Sequence, residues 1–262
     1  MAFKIALSAG HGKNTAGKRC LKSLDPKETR EWVLNSRIAD KVEDLLKNYT
    51  GYELLRLDDR SGVTDVSLSK RSQSANKFKA NFYLAIHANA GVNGGKGGGI
   101  VAFTYTKPSA ESLGWQEDLY NELIAQTGLS GNRSMPLAKA NLHECREPYM
   151  PAVLLELGFM DSSTDVPIIL TEKFADQCAE AIVSVIVKRG KLVKKNDSAK
   201  KESYKVRVTA DALNIRDGAG TNYKINGCIT DKGVYTIIEE KNGFLKLKSG
   251  AGWIRANYTQ KI

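Results

Sequence analysis

From Lys4 to Gly190, strand-like and helix-like segments alternate, and this constrains the fold of the chain more than any other feature. "KIALSAG", "YELLRLD", "FYLAIHA", "GIVAFTY" and "AVLLELGF" are short, almost continuous apolar runs. They are interleaved with "EWVLNSRIADKVEDLLKNY", "SLSKRSQSANKFKA", "SAESLGWQEDLYNELIAQTG" and "EKFADQCAEAIVSVIVKRG". In the first of these, Trp32, Leu34, Ile38, Val42, Leu45 and Leu46 recur at helical spacing. Strands that are apolar on both faces need cover on both faces. The pattern therefore predicts an α/β domain, a twisted, largely parallel sheet flanked by helices. A chain of 262 residues has room for that domain and a smaller one.

The texture changes after "KRGKLVKKNDSAKKES", which is charged, polar and without apolar periodicity. We read 1–188 as one domain, 189–203 as a basic linker and 204–262 as a second domain. The second part holds "KVRVTA", "ALNIRD", "CITDKGVYTIIEEKNGFLKLKSG" and "GWIRANY" between Gly- and Asn-rich turns, the pattern of a small all-β barrel. Charge follows the same division. Acidic and basic side chains balance over residues 1–187, so the whole net charge of +10 lies from Lys188 onward. Basic charge gathered at one end is expected to seek an anionic polymer. No run is long and apolar enough to read as a membrane span. The opening "MAFKIALSAGHGKNTAGKRC" is too short in its apolar part for a signal peptide. Cys20, Cys145, Cys178 and Cys228 are widely spaced, as expected of a chain made in a reducing cytoplasm and not of a thiolate metal cluster.

Chemistry is expected where the three histidines sit. His11 follows the first strand in "LSAGHGKNTAG", and His87 ends the third in "FYLAIHANA". In a parallel sheet both lie along the carboxyl edge, where open α/β sheets bind ligands. Glu28 and Glu31, at the opening of the first helix, each offer a carboxylate. Two imidazoles, a carboxylate and an open fourth position form a catalytic zinc set. Glu156 interrupts the apolar run "MPAVLLELGFMD". A carboxylate in a core strand needs a partner or a task, and desolvation would raise its pKa toward that of a general base.

The segments "SAGHG", "ETREWVLN", "RSQSAN", "FYLAIHANA" and "MPAVLLELGFMDSSTD" occur in that order. Together they resemble the zinc-dependent N-acetylmuramoyl-L-alanine amidases of the Amidase_3 type over roughly residues 3–188. The resemblance implies one Zn2+ per chain held by His11, Glu31 and His87, because Glu31, not Glu28, stands four residues before Asn35. It implies that Glu156 is catalytic. One departure is Ser8–Ala9, where the family usually opens with aspartate–proline. Asn89 and His143 remain weak substrate-binding candidates.

The segments "LNIR", "DGAGTNY" and "GWI" of the second part resemble bacterial Src-homology-3-like cell-wall-binding domains. That resemblance implies contacts to cell-wall polymers, with Tyr223, Trp253 and Tyr258 as candidate contact residues; the alternative for all three, and the favoured reading of Trp253, is a place in the small-domain core. The whole chain thus resembles a phage or prophage endolysin, or an autolysin. It is expected to hydrolyse the amide between N-acetylmuramic acid and L-alanine. Expected partners are peptidoglycan and anionic wall polymers, with neither nucleic acid nor membrane insertion. A zinc peptidase of the stem peptide and a non-catalytic wall-binding protein are the alternatives. Nothing in the sequence fixes the oligomeric state.

Overall fold

Each apolar run of the first part forms a strand. The computed structural model describes residues 2–195 and 203–262. In chain order the elements of the first part are β1 (Phe3–Ala9), α1 (Glu31–Leu46), β2 (Tyr49–Thr50), β3 (Tyr52–Arg56), α2 (Leu68–Phe78), β4 (Phe82–Asn89), β5 (Ile100–Thr104), α3 (Ala110–Thr127), β6 (Leu137–Lys139), α4 (His143–Arg146), β7 (Ala152–Phe159), α5 (Val166–Ile169), α6 (Glu172–Gly190) and β8 (Val193–Lys194). Strand order in the six-stranded sheet is β3-β1-β4-β7-β5-β6. Pairings from β3 through β7 are parallel, and β5 runs antiparallel to β7. The sheet is thus parallel-rich, with helices on both sides.

Strand periodicity sorts the side chains between those two sides. Ile5, Leu7, Phe82, Leu84, Ile86, Val153 and Leu155 pack with α1, α3 and α6 in the larger core. Ala6, Tyr83, Ala85 and Leu154 face the other way, toward Ala75 of α2 and Cys145 of α4. Alternation carries Ser8, His87 and Glu156 onto this second face, at the carboxyl ends of β1, β4 and β7. The sequence pattern had not suggested α4, a single turn of four residues too short to show periodicity.

The chain falls into two compact units, Met1–Lys194 and Lys195–Ile262. The first residues of the expected linker, 189–203, are structured. Arg189 and Gly190 close α6, and β8 pairs with β2. Arg189 has a helical role in place of a solvated one: its Nε donates to Asp118 at 2.7 Å and its guanidinium lies over the Trp115 ring. Residues 196–202 of that linker lie outside the described residues.

The second unit contains β9 (Tyr204–Val208), β10 (Leu213–Arg216), β11 (Ile225–Ile229), β12 (Val234–Lys241), β13 (Phe244–Leu247), β14 (Trp253–Arg255) and β15 (Thr259–Lys261). They form a seven-stranded sheet in the order β11-β10-β14-β13-β12-β9-β15, with antiparallel pairing throughout. Asn242 and Gly243, both at positive φ, make the two-residue turn between β12 and β13. Val206, Val208, Leu213, Ile229, Ile237, Leu245, Leu247 and Ile254 form its core. The expected barrel is here an antiparallel sheet: among the described residues no ladder joins β11 to β15.

Candidate metal centre

One loop, two strand ends and one helix end converge at the carboxyl edge of the sheet. β1 runs to Ala9, and the Gly10 N–H continues its ladder by donating to Ile86 O at 2.9 Å. Gly10 has to be glycine, because a Cβ there would lie 2.1 Å from Cε1 of the His87 ring. His11 then adopts φ 65°, a left-handed conformation that costs energy for a residue with a side chain and that turns the ring back over the edge. Glu31 is the first residue of α1, where a carboxylate is favoured by the helix dipole, and it is 1% exposed. His87 stands near the end of β4, just before a bulge in its pairing with β7.

These side chains meet. His11, Glu31 and His87 can each offer a ligand atom, all within 4.8 Å of one another. The two imidazole rings lie edge to face with centroids 5.0 Å apart. His87 Nδ1 is 3.0 Å from Glu31 Oε1, and His11 Nε2 is 3.4 Å from Glu31 Oε2. Asn35, one helical turn on from Glu31, donates to Gly10 O at 3.2 Å and to Glu31 Oε1 at 3.4 Å, tying the helix to the loop. Glu28 is not part of the group; it pairs with Arg19 at 3.0 Å. The fit to a cation shows in one atom. Glu31 Oε2 is buried without a hydrogen-bond partner and is met only at longer range, by Lys18 Nζ at 3.6 Å and His11 Nε2 at 3.4 Å, which leaves its lone pairs open to a cation.

Electrostatics prepare the same set. Burial lowers the His11 pKa to about 4, so its ring is neutral and ready to coordinate at neutral pH. Burial also works against charge on His87, but hydrogen bonds to Glu144 and Glu31 carry its pKa up to about 10. Burial alone would raise the Glu31 carboxyl; the His87 hydrogen bond and charge, with His11 and Lys18, hold it below its usual value. Glu156 is raised to about 7 by burial, against the pull of the His87 charge, and its Oε2 is also buried without a hydrogen-bond partner.

The sequence reading missed Glu144. It is 3% exposed, with Oε2 3.1 Å from His87 Nε2. His143, the residue singled out there, instead meets Ser72 Oγ at 3.1 Å. Asn89 accepts from the Ala90 N–H at 2.9 Å, a contact within its own loop. In the second unit Tyr223 and Tyr258 are exposed, whereas Trp253 is buried beneath Lys246. Tyr258 borders a cavity of about 240 Å³ that is also lined by Arg216 and Arg255.

Comparison with known proteins gives the chain its family. The sporulation-specific N-acetylmuramoyl-L-alanine amidase of Bacillus subtilis (strain 168) is 29% identical over 215 residues, which span 80% of this chain and 78% of that one. The endolysin of Bacillus phage SPP1 is 28% identical over 198 residues, 75% of this chain and 69% of that one. Among solved structures, the N-acetylmuramoyl-L-alanine amidase from Clostridium difficile 630 superposes with a TM-score of 0.64 at 27% identity, covering 71% of this chain and 96% of that one. The pattern of one family matches residues 5–188, the stretch that contains every residue of the centre, and by that match the chain belongs to the N-acetylmuramoyl-L-alanine amidase family.

Proposed function

We propose that this amidase cleaves the bond between N-acetylmuramic acid and the L-alanine of the stem peptide with one zinc ion held by His11, Glu31 and His87 and with Glu156 as general base and acid. The observation that carries the reading is the meeting of those three donors within 4.8 Å, with a buried carboxylate oxygen among them that has no hydrogen-bond partner. Two histidines, one carboxylate and an open position are the donor set of a hydrolytic zinc site. When bound, the ion would act as a Lewis acid, lowering the pKa of a water and polarising the scissile carbonyl.

Proton transfer is then the task of Glu156. Its pKa of about 7 lets it take a proton from the attacking water at neutral pH and hold it. The same oxygen returns that proton to the alanine nitrogen as the amide breaks, so the amine leaves neutral.

The second unit we read as a Src-homology-3-like wall-binding domain, with the exposed Tyr223 and Tyr258 as contacts and its positive charge directed at anionic wall polymers. Buried Trp253 supports the core of that unit. The whole chain then acts as a wall-lytic endolysin or autolysin. Mass spectrometry of purified peptidoglycan digested with the protein tests the reaction. Intact stem peptides with a free N-terminal alanine are expected. Free amino acids, or cuts within the stem peptide, would overturn the assignment in favour of a peptidase.

A further inference from the structure

We infer that Glu144 is the positioning residue of the metal centre: it takes the Nε2–H of His87 and so presents Nδ1 to the metal. The inference rests on the reading of His11, Glu31 and His87 as ligands, and it concerns which nitrogen of His87 serves and what holds it there.

An imidazole has two nitrogens, and here each faces a different carboxylate. Nδ1 lies 3.0 Å from Glu31 Oε1, on the side of the ligand cluster. Nε2 lies 3.1 Å from Glu144 Oε2, on the side away from it. A ligating imidazole gives the metal a lone pair through one nitrogen and donates N–H through the other, so a carboxylate on the far nitrogen selects the tautomer and fixes the ring plane. Glu144 is itself held on its other oxygen, where Oε1 accepts from Ser8 Oγ at 2.8 Å and Tyr83 OH at 2.7 Å. Behind these, buried Arg71 donates from Nη1 to Ser8 Oγ and to Ala9 O, both at 2.6 Å. With both oxygens engaged and a guanidinium behind it, the carboxylate has no freedom to swing. A buried carboxylate on a one-turn helix is costly, and these contacts offset that cost.

The departure noted at the first loop acquires a reason from the same contacts. Position 8 has serine where the resembled family opens with aspartate, which removes a carboxylate from the end of β1. Ser8 instead donates to Glu144, so α4 delivers a carboxylate to the place where β1 lacks one.

Two measurements on the full-length chain test this. The first is nitrogen NMR of zinc-loaded protein labelled in its three histidines. His87 is expected to carry the metal on Nδ1 and a slowly exchanging proton on Nε2. Metal on Nε2 would overturn the inference even if no variant could be made. The second is zinc affinity by chelator competition, with circular dichroism as the check of folding. Glu144→Ala is expected to weaken zinc binding by roughly 10- to 100-fold and to speed exchange of the Nε2 proton. Glu144→Gln, which keeps an acceptor of the same shape, is expected to recover part of that loss. Equal zinc affinity in Glu144→Ala and wild type would overturn the inference alone. A wild-type chain that takes up no zinc would overturn the ligand reading and the inference with it.

Discussion

His87 of β4 and Glu156 of β7 are direct register partners in a parallel pair, so their side chains leave the same face of the sheet at the same level. A ladder between two central strands thus sets the spacing between one proposed ligand and the proposed base. Neither depends on a mobile loop for its place. Both are expected to keep it when one is changed.

Glu156→Gln is therefore expected to fold and to bind one zinc while turnover falls by roughly 10²- to 10⁴-fold. Zinc content by elemental analysis and turnover on muropeptides check it. Loss of zinc would instead put Glu156 among the ligands. In the wild type, activity should rise with pH as Glu156 loses its proton. Its acid limb should lie at or below about 7, since a cation beside the carboxylate favours the charged form.

The two proposed histidine ligands should differ in what their removal does to the metal-free protein. The His11 side chain is 19% exposed and lies against Glu31 from the outside. His87 is buried between Glu31 and Glu144. Both His11→Ala and His87→Ala should lose zinc. Only His87→Ala should also remove the hydrogen-bonded cation that two buried carboxylates share, leaving them to the more distant Lys18 and Arg71, at a cost of up to about 3–5 kcal/mol. Urea unfolding of the zinc-free variants checks the contrast, and equal stabilities would contradict it.

Much of this centre was legible in the sequence because its parts sit on regular elements. The parallel sheet implied by alternating strands and helices placed His11 and His87 at one edge, and the apolar run around Glu156 marked it as a carboxylate under constraint. The order of five motifs, not the residues alone, separated Glu31 from Glu28. Glu144 was not legible. It lies on a single helical turn, beside a histidine that drew attention, and its partners Ser8, Tyr83 and Arg71 are 136, 61 and 73 positions away in the chain. The antiparallel turn of β5 against β7 escaped for a related reason: apolar runs report burial but not direction. Arg189, grouped by composition with the basic stretch, belongs to α6.

Zinc binding should release a proton. Metal-free His87 holds protons on both nitrogens up to a pH of about 10, and ligation requires one of them to leave. His11, lowered to about 4, has none to lose at neutral pH. Affinity should therefore rise by up to about tenfold per pH unit between pH 7 and 9, the slope for one displaced proton. Calorimetry in two buffers of different ionisation enthalpy should give about one proton per zinc at about pH 8.5, where Glu156 has already lost its proton, and more than one near neutral pH. The metal-free fold has the opposite preference. His87, raised to about 10 from an ordinary 6.5, adds stability that is complete below 6.5 and lost as pH rises toward 10. Glu144, lowered to about 2 from 4.5, adds stability that is complete above 4.5 and lost as pH falls toward 2. The pair thus contributes fully only from about pH 4.5 to 6.5. A Glu144→Ala chain should show a flatter melting temperature across pH.

The last expectation concerns the second unit. A chain ending at Lys195 retains all four proposed site residues, the complete α6 and the β2–β8 ladder, so it should still cleave soluble muropeptides. It should bind whole walls less well. Residues 196–262 carry twelve basic and seven acidic side chains, so half of the net charge leaves with them. That share of the affinity should fall with added salt, because charges are screened over about 8–10 Å at physiological ionic strength. A salt-resistant remainder should come from aromatic and planar contacts. Tyr258→Ala should reduce that remainder, since this ring is exposed beside the cavity lined by Arg216 and Arg255. Trp253→Ala should act differently, lowering stability by about 3–5 kcal/mol as a buried aromatic does. Sedimentation of both chains with purified walls, at low and high salt, reads these effects directly. Equal sedimentation of the short and full-length chains would leave the second unit a spacer, and the wall would then have to be recognised by the amidase domain alone.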